Sequence, residues 1–432
     1  MPLPALTAVS GSVQVIAMQA LQDSNPASRR ATMPVTDSAQ AWLRLGATVL
    51  LSTIGGVGMW SVIVALPAVQ SEFAIPRAEA SLPFTLAMLG FAAGGVAMGR
   101  LLDRVGILGP VSVCAVALAI GYVAAAGARS PATFALAHVA IGFGSSATLG
   151  PLMADISKWF VRRRGVAVTL CSAGNYFAGA LWPPIVQHAI ASYGWRATHA
   201  AIGPLCGAAI LLIAFAALRR QAPASSEAAS GPRAASPATL GLSPAALQAL
   251  LAFASVCCCV AMSMPQVHIV AYCGDLGYGI ARGADMLALM MAFGVVGRIL
   301  SGVIADRWGG LRTLMLGSAL QGIALVMYLF FDGLFSLYAI SALFGLFQGG
   351  IVPSYAIVVR EYFPAKEAGT RVGIVLMASL IGMALGGWMS GYIFDATGSY
   401  QAAFVNGLAW NIVNGTIVLW LLYRRRSGVA FA

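Results

Sequence analysis

The sequence predicts an all-α membrane protein with twelve transmembrane helices arranged as two halves of six. Three observations support this fold class. First, 59% of the 432 residues are hydrophobic and 9% are charged, whereas a soluble domain averages about 45–50% apolar and about 25% charged residues. Second, twelve apolar stretches are long enough to cross a bilayer. Third, the first six and the last six of these stretches share a sequence motif. The composition excludes a secreted scaffold and an ordinary cytosolic enzyme.

The twelve apolar stretches are predicted to be helices rather than barrel strands. A bilayer core of about 30 Å requires about 20 apolar residues in a helix. The stretches also lack the short alternating pattern of a barrel strand. The predicted spans are residues 43–69, 80–101, 107–127, 132–156, 166–190, 198–218, 246–272, 284–305, 312–331, 334–358, 370–394 and 401–423.

The longest gap between these stretches divides the chain in two. Residues 219–244 consist mainly of Ala, Ser and Pro, without an apolar period, which is typical of a flexible linker. We therefore predict five parts. They are a disordered tail over 1–41, an N-terminal half over 42–218, the linker over 219–244, a C-terminal half over 245–424 and a short tail over 425–432.

The two halves resemble copies of one another. A Gly-x-x-x-Asp-Arg-x-Gly motif follows the second span of each half, and corresponding residues lie 203 positions apart. Its members are Gly99, Asp103, Arg104 and Gly106 in the first half and Gly302, Asp306, Arg307 and Gly309 in the second. A proline in the fourth span of each half, Pro151 and Pro353, repeats at nearly the same offset.

The basic residues predict the orientation. Of the 25 Lys and Arg residues, Arg298 lies inside span eight, 20 lie on one predicted side, and four lie on the other side, namely Arg77, Arg129, Arg196 and Arg282. Because positive charge is retained on the cytoplasmic side, both termini and the linker are predicted to be cytoplasmic, in an inner (plasma) membrane. The net charge of +11 therefore indicates topology and contact with membrane lipid rather than nucleic acid.

These features resemble the major facilitator superfamily over residues 43–423. A narrower similarity to the monocarboxylate transporter and oxalate/formate antiporter families is also visible. It is carried by Trp159–Ala167, Ala173–Gly174, Gly194–Arg196, Pro265–Gly277 and Gly297–Arg298. At position 294, where the animal carriers have an aspartate, this chain has Gly. The resemblance implies that Asp103, Arg104, Asp306 and Arg307 are gating residues, which hold the helix ends together when the carrier faces outward. The alternative is that these charges only set the topology.

Arg298 is the main candidate for binding a substrate. It lies 13 residues after Asp285 and 8 before Asp306, or about 20 Å and about 12 Å along a helix. An unpaired arginine inside the membrane costs at least about 2.5–3.5 kcal/mol, and a guanidinium matches a carboxylate in bidentate geometry. No acidic side chain is evident at this depth, so we predict that the substrate is the partner. The alternative is that Arg298 bonds backbone carbonyls and joins helices.

His268 lies seven residues before Asp275, about 10 Å from the outer surface. A neutral imidazole can accept a proton near physiological pH, which suits proton symport or an outer gate. The alternative is a histidine satisfied by a neighbouring helix.

Four polar residues interrupt apolar stretches, two in span five and two in span ten. They are Asn175, Tyr176, Gln348 and Tyr355. We predict that they line a central cavity and bind the substrate; the alternative is that they join helices.

The predicted function is secondary active transport of a small organic anion by alternating access, with proton symport or anion exchange. A single buried cation favours a monocarboxylate. The predicted partners are this anion, H⁺ and membrane lipid, with no cofactor, metal ion or nucleic acid, and we expect a monomer. No HExxH, GxSxG or P-loop motif occurs, so an enzyme is not predicted. The alternatives are a drug or apolar-metabolite exporter of the same fold, and a membrane receptor that binds a ligand without moving it.

Overall fold

A computed structural model describes residues 37–219 and 240–429. In this part of the chain, long helices are joined by short connections and no strand occurs. The helices of the first half are Ala39–Gly55 and Val57–Phe73 (span one), Arg77–Val105 (span two), Leu108–Ala126 (span three), Pro131–Ser145 and Gly150–Ile156 (span four), and Arg164–Ala217 (spans five and six). Those of the second half are Pro244–Asp275 (span seven), Ile280–Trp308 (span eight), Gly310–Phe330 (span nine), Leu334–Gln348 and Ile351–Tyr362 (span ten), Ala365–Thr397 (span eleven) and Tyr400–Val429 (span twelve).

The number of spans agrees with the prediction once the longest helix is divided. Eleven helical segments of the described residues are long and apolar enough to cross a membrane. As one helix, the 54 residues of Arg164–Ala217 would extend about 80 Å, more than twice the thickness of a bilayer core. The segment breaks at Gly194, whose φ of 76° and ψ of 160° are readily adopted only by glycine. It therefore contains two spans, and the described residues form twelve.

The repeated prolines mark the same kind of interruption in both halves. Span four breaks at a 3₁₀ turn over Ser146–Thr148 and restarts one residue before Pro151. Span ten breaks after Gln348, and Pro353 lies in the first turn of its second segment. Proline is favourable there because the first turn of a helix does not need its missing N–H.

Spans one and seven lie at the centre of the bundle. Every residue from 57 to 66 and from 257 to 271 is buried, so other helices surround these segments on all faces. One hydrophobic cluster lies within each half, and a third contains residues of both. The halves meet where span two packs against span eleven and span five packs against span eight.

The structure shifts two predicted boundaries. The first helix begins at Ala39, within the predicted tail, because Ser38 caps it by accepting a hydrogen bond from the N–H of Ala41. The last helix continues to Val429 because its arginines favour helix. The predictions for residues 1–36, 220–239 and 430–432 lie outside the described residues. We name the ends of the bundle by the predicted orientation, so that spans two and eight begin at the predicted outer end.

Candidate functional site

Arg298 lies deep in the bundle and contacts both halves. It is the nineteenth residue of span eight, and about 15 Å of helix separates it from the predicted cytoplasmic end. Its Nη1 donates hydrogen bonds to the carbonyl oxygen and hydroxyl of Ser172 in span five, at 3.0 and 2.9 Å. Its Nε donates to the carbonyl oxygen of Gly349 in span ten at 3.3 Å. Arg298 therefore makes the backbone contacts that the helix-joining alternative predicts.

These contacts leave Arg298 with unused hydrogen-bonding capacity. The side chain is half-buried. Its hydrogen bonds to Ser172 and Gly349 come from Nη1 and Nε, and the phenol of Tyr176 also lies within interaction range of the guanidinium. Because the side chain is only half-buried, part of it remains accessible to a ligand or to water. Arg298 also forms no ion pair with an acidic residue of the described ranges.

Tyr176 stacks against Arg298. The centroid of its ring lies 4.5 Å from Cζ of Arg298, which is a cation–π distance. The ring is buried directly beside Gly294, and a Cβ at position 294 would overlap ring atoms. The absence of a side chain at position 294 is therefore what admits Tyr176.

Asn175 and Gln348 each have one buried polar atom without a partner in the described residues. The main-chain carbonyl of Asn175 accepts a hydrogen bond from Nε1 of Trp60 at 3.1 Å, but its side-chain Oδ1 accepts none. Oε1 of Gln348 accepts from Nε2 of Gln266 at 2.8 Å, but Nε2 of Gln348 donates to nothing. Because buried polar atoms are nearly always paired, each of these atoms can take a bound water or a substrate group.

Tyr355 lies away from this group. Its hydroxyl donates to Oδ1 of Asn414 in span twelve at 2.6 Å, and Nδ2 of Asn414 donates to Ser318 in span nine at 2.8 Å. All three residues are buried. Tyr355 therefore joins spans nine, ten and twelve of its own half, and we leave it out of the candidate site.

His268 is buried, and both of its ring nitrogens have partners. Nε2 lies 2.8 Å from the carbonyl oxygen of Gly387 in span eleven. Because a carbonyl oxygen only accepts, Nε2 carries the proton and Nδ1 accepts from the hydroxyl of Tyr400 at 3.2 Å. This is the arrangement of the satisfied-histidine alternative, and it ties span seven to spans eleven and twelve.

Tyr400 also contacts Arg77, the first residue of span two in the other half. Nη1 of Arg77 donates to the hydroxyl of Tyr400 at 2.7 Å, and Nη2 pairs with Asp275 at 3.2 Å. The backbone N–H groups of Arg77 and Ala78 donate to the two carboxylate oxygens of Asp395 at 2.8 and 2.7 Å. Arg77 is 7% exposed. We name Arg77, Asp275, Asp395 and Tyr400 the outer lock, because they join the halves at the predicted outer end.

The sequence predicts that Arg77 lies on the outer side but indicates no role for it. A signal was present in the repeat, because Glu72 and Asp275 lie near the ends of spans one and seven and are 203 residues apart, the offset of the repeated motif. Glu72 pairs with Arg196 of its own half at 2.7 Å, whereas Asp275 pairs across the halves. The repeat thus identifies both carboxylates but not the half that holds the partner of each.

The predicted gating residues lie at the opposite end of the bundle. Asp103, Arg104, Asp306 and Arg307 are exposed, and none of their side chains forms an ion pair within residues 37–219 and 240–429. Among the described residues, the polar contacts that join the halves at an end of the bundle are those of the outer lock. The gating role of these four residues stays a prediction for the outward-facing state.

The profile of the Major Facilitator Superfamily matches residues 48–341 and 284–431. The chain belongs to the major facilitator superfamily. Monocarboxylate transporter 13 of Bos taurus is 29% identical over 283 residues, and the alignment covers 65% of this chain and 65% of that protein, which is less than two thirds of its length. The agnestins efflux protein AgnL12 of Paecilomyces divaricatus is 25% identical over 292 residues, or 67% of this chain and 65% of that protein.

A solved structure shows the same fold. A mutant of the nucleoside transporter NupG superposes with a TM-score of 0.70 at 14% identity, covering 88% of this chain and 99% of that chain. This likeness and the superfamily match confirm the predicted fold class. The chain is an integral membrane protein of the superfamily.

Proposed function

We propose that this transporter carries a small organic monoanion, specifically a monocarboxylate, by secondary active transport with alternating access. The observation that supports the proposal is Arg298, a half-buried positive charge deep in a membrane span that forms no ion pair with an acidic residue of the described ranges. A carboxylate would neutralise this charge through charge-assisted hydrogen bonds. The similarity to a protein named monocarboxylate transporter 13 favours the same substrate class.

In this proposal the substrate carboxylate binds the guanidinium of Arg298 beside the ring of Tyr176. Oδ1 of Asn175 and Nε2 of Gln348 provide an acceptor and a donor for the substrate or its water. His268 contributes to the outer closure through Tyr400. The protein lies in the inner (plasma) membrane with both termini in the cytoplasm.

The gating residues belong to the same proposal. Asp103, Arg104, Asp306 and Arg307 hold the cytoplasmic ends together when the outer lock opens.

Uptake by the purified protein in liposomes tests the substrate assignment. Labelled lactate, pyruvate and benzoate are offered to wild-type protein and to Arg298→Ala and Arg298→Lys. Arg298→Ala is expected to lose uptake. Arg298→Lys is expected to retain only part of it, because the single ammonium nitrogen cannot keep the contacts with Ser172 and Gly349 and bind the substrate as well. Arg282→Ala, exposed near the outer end of the same span, is the matched control and should transport normally. Wild-type rates in Arg298→Ala would refute the assignment.

A second candidate function is export of an apolar metabolite, and the similarity to a protein named an efflux protein favours export. The same liposomes distinguish the two functions. A neutral lipophilic dye should be moved by an exporter regardless of the residue at position 298, whereas a monocarboxylate carrier should not move it.

A further inference from the structure

We propose that the start of span two is a binding site for an external organic carboxylate, and that binding of this anion releases the outer lock. The site consists of the guanidinium of Arg77 and the backbone N–H groups of Arg77 and Ala78. In this structure two carboxylates of the other half occupy it, those of Asp275 and Asp395. The link to transport rests on the proposed function, whereas opening of the lock can be measured without transport.

The first N–H groups of span two are capped by the other half of the protein. The residue at the N-cap position is Pro76, which provides no side-chain hydrogen bond. Asp395 of span eleven takes this role, because its two carboxylate oxygens accept from the N–H groups of Arg77 and Ala78 at 2.8 and 2.7 Å. The start of a helix favours an anion, since its first N–H groups lack partners within the helix and its dipole is positive there.

The guanidinium of Arg77 is only partly used by its internal partner. The N–H groups on Nε and Nη2 of an arginine are parallel, and together they match the two oxygens of a carboxylate. Nη2 lies 3.2 Å from each oxygen of Asp275, whereas the enclosed Nε has no partner within the described residues. A free carboxylate is not tethered to span seven, so it can approach this edge and engage both nitrogens.

A crevice leads to this edge from the predicted outer end. Its volume is about 500 Å³, and Arg77 and Asp275 both line it. Pro67, Ile75 and Ile280 add apolar surface to its wall. This volume is within the range of small-molecule sites, and the lining fits a ligand with one carboxylate and a short apolar body.

Separation of the halves frees the donors at the start of span two. Arg77 and Ala78 belong to the first half, whereas Asp275, Asp395 and Tyr400 belong to the second. An anion therefore competes with two internal carboxylates when the outer end is closed, but with neither when it is open. A ligand that binds one state more tightly shifts the population toward that state. The anion consequently favours the outward-open state, and the exposed carboxylates of Asp275 and Asp395 return to water at little cost.

Cysteine labelling of the full chain tests this proposal. Phe84 of span two is 2% exposed and packs against Gly387 of span eleven, so a cysteine at position 84 reacts with a membrane-impermeant maleimide when the outer end opens. Purified Phe84→Cys protein is labelled in sodium benzoate, or in the neutral analogue benzamide with sodium chloride at the same ionic strength. We expect saturating benzoate to accelerate labelling at least about fivefold, the factor that corresponds to one exposed ion pair.

The same measurement with Arg298→Ala and with Arg298→Gln removes the contribution of the central site. Acceleration by benzoate that persists in these variants supports a site at span two. Acceleration that requires Arg298 would assign the opening to the central site; it would overturn this proposal and favour the proposed function. Equal labelling in benzoate and benzamide in every variant would overturn this proposal alone, because uptake into liposomes tests the proposed function separately.

Variants of the outer lock locate the anion. Asp275→Asn removes an internal competitor, so the benzoate concentration that gives half-maximal acceleration should fall about fivefold. Glu72→Gln at the repeated position is the matched control and should leave this concentration unchanged, because Glu72 pairs with Arg196 within its own half. Arg77→Met should label rapidly in both solutions and lose the response to benzoate. A response of Arg77→Met equal to that of the protein with Arg77 would overturn the proposed site.

Discussion

Removing the side chain of Arg77 is expected to open the predicted outer end of the bundle. Arg77→Met abolishes two polar cross-half contacts, the hydrogen bond to Tyr400 at 2.7 Å and the ion pair with Asp275 at 3.2 Å, together with the cation–π contact with Phe394 at 4.8 Å. It leaves the backbone hydrogen bonds to Asp395 in place. A hydrogen bond from a charged donor contributes about 1.5–3 kcal/mol, so the bond to Tyr400 is the larger loss.

The ion pair adds less, because the side chain of Asp275 is 39% exposed and exposed pairs contribute at most about 1 kcal/mol. Asp275 also lines a crevice of about 500 Å³ at the outer end, so it stays hydrated when Arg77 is removed. Tyr400 keeps its hydrogen bond to His268, and Nε of Arg77 has no partner to lose. We therefore expect a net loss of about 2 kcal/mol, or an increase of about 30-fold in the ratio of outward-open to closed protein.

Cysteine labelling measures this ratio. Phe84 in span two is 2% exposed, and its ring packs against Gly387 of span eleven across the interface between the halves. The native cysteines are buried, so Phe84→Cys provides the reactive group, and a membrane-impermeant maleimide reports its exposure. Labelling should be about 30-fold faster with Arg77→Met than without it. Arg282→Met, an exposed arginine at the same end, is the control. Equal labelling rates with and without Arg77→Met would refute the reasoning. They would indicate that the apolar contacts between the halves keep the outer end closed.

Three further predictions concern stability. Asp155 accepts hydrogen bonds at 2.9 and 2.8 Å from Arg44, and the side chains are 7% and 3% exposed. Asp155→Ala should therefore cost about 3–5 kcal/mol, seen as a lower melting temperature; an unchanged one would contradict the prediction. Tyr355→Phe should cost about 1–2 kcal/mol and leave the half-saturation concentration unaltered, and a rise in that concentration would return Tyr355 to the site. Hydrogen bonds from the backbone N–H groups of Arg162 and its neighbours lower the pKa of Asp37 below its ordinary 3.8. The stabilisation by Asp37 is then present above pH 3.8 and is lost in stronger acid. Asp37→Asn should therefore lower the melting temperature equally at about pH 6 and about pH 8. A decrease that differs between the two pH values would contradict this prediction.

The twelve spans were predictable because each needs a long apolar run, and every predicted span overlaps a helix. The ends were less predictable, because hydropathy marks only the apolar part of a helix. Span two was predicted from residue 80 but begins at Arg77, whose partners in the other half make a charged first turn favourable.

The depth of Arg298 follows from its position in span eight, but its contacts do not. Ser172 and Tyr176 come from span five, and no pattern within one span indicates which face meets the other half. Gln348 and Tyr355 show the same limit. They are seven residues apart and would share a face of an unbroken helix, but the break after Gln348 changes the helical phase. Gln348 consequently bonds span seven and Tyr355 bonds span twelve.

The guanidinium of Arg298 belongs to one half and the ring that stacks on it to the other. A ligand bound there would contact both halves and would therefore stabilise their association. If the chain were split within residues 219–244 and the fragments produced separately, neither would possess a complete pocket. The substrate should then promote reassembly of the two fragments. The extent of reassembly in its presence would measure binding without any measurement of transport across the bilayer.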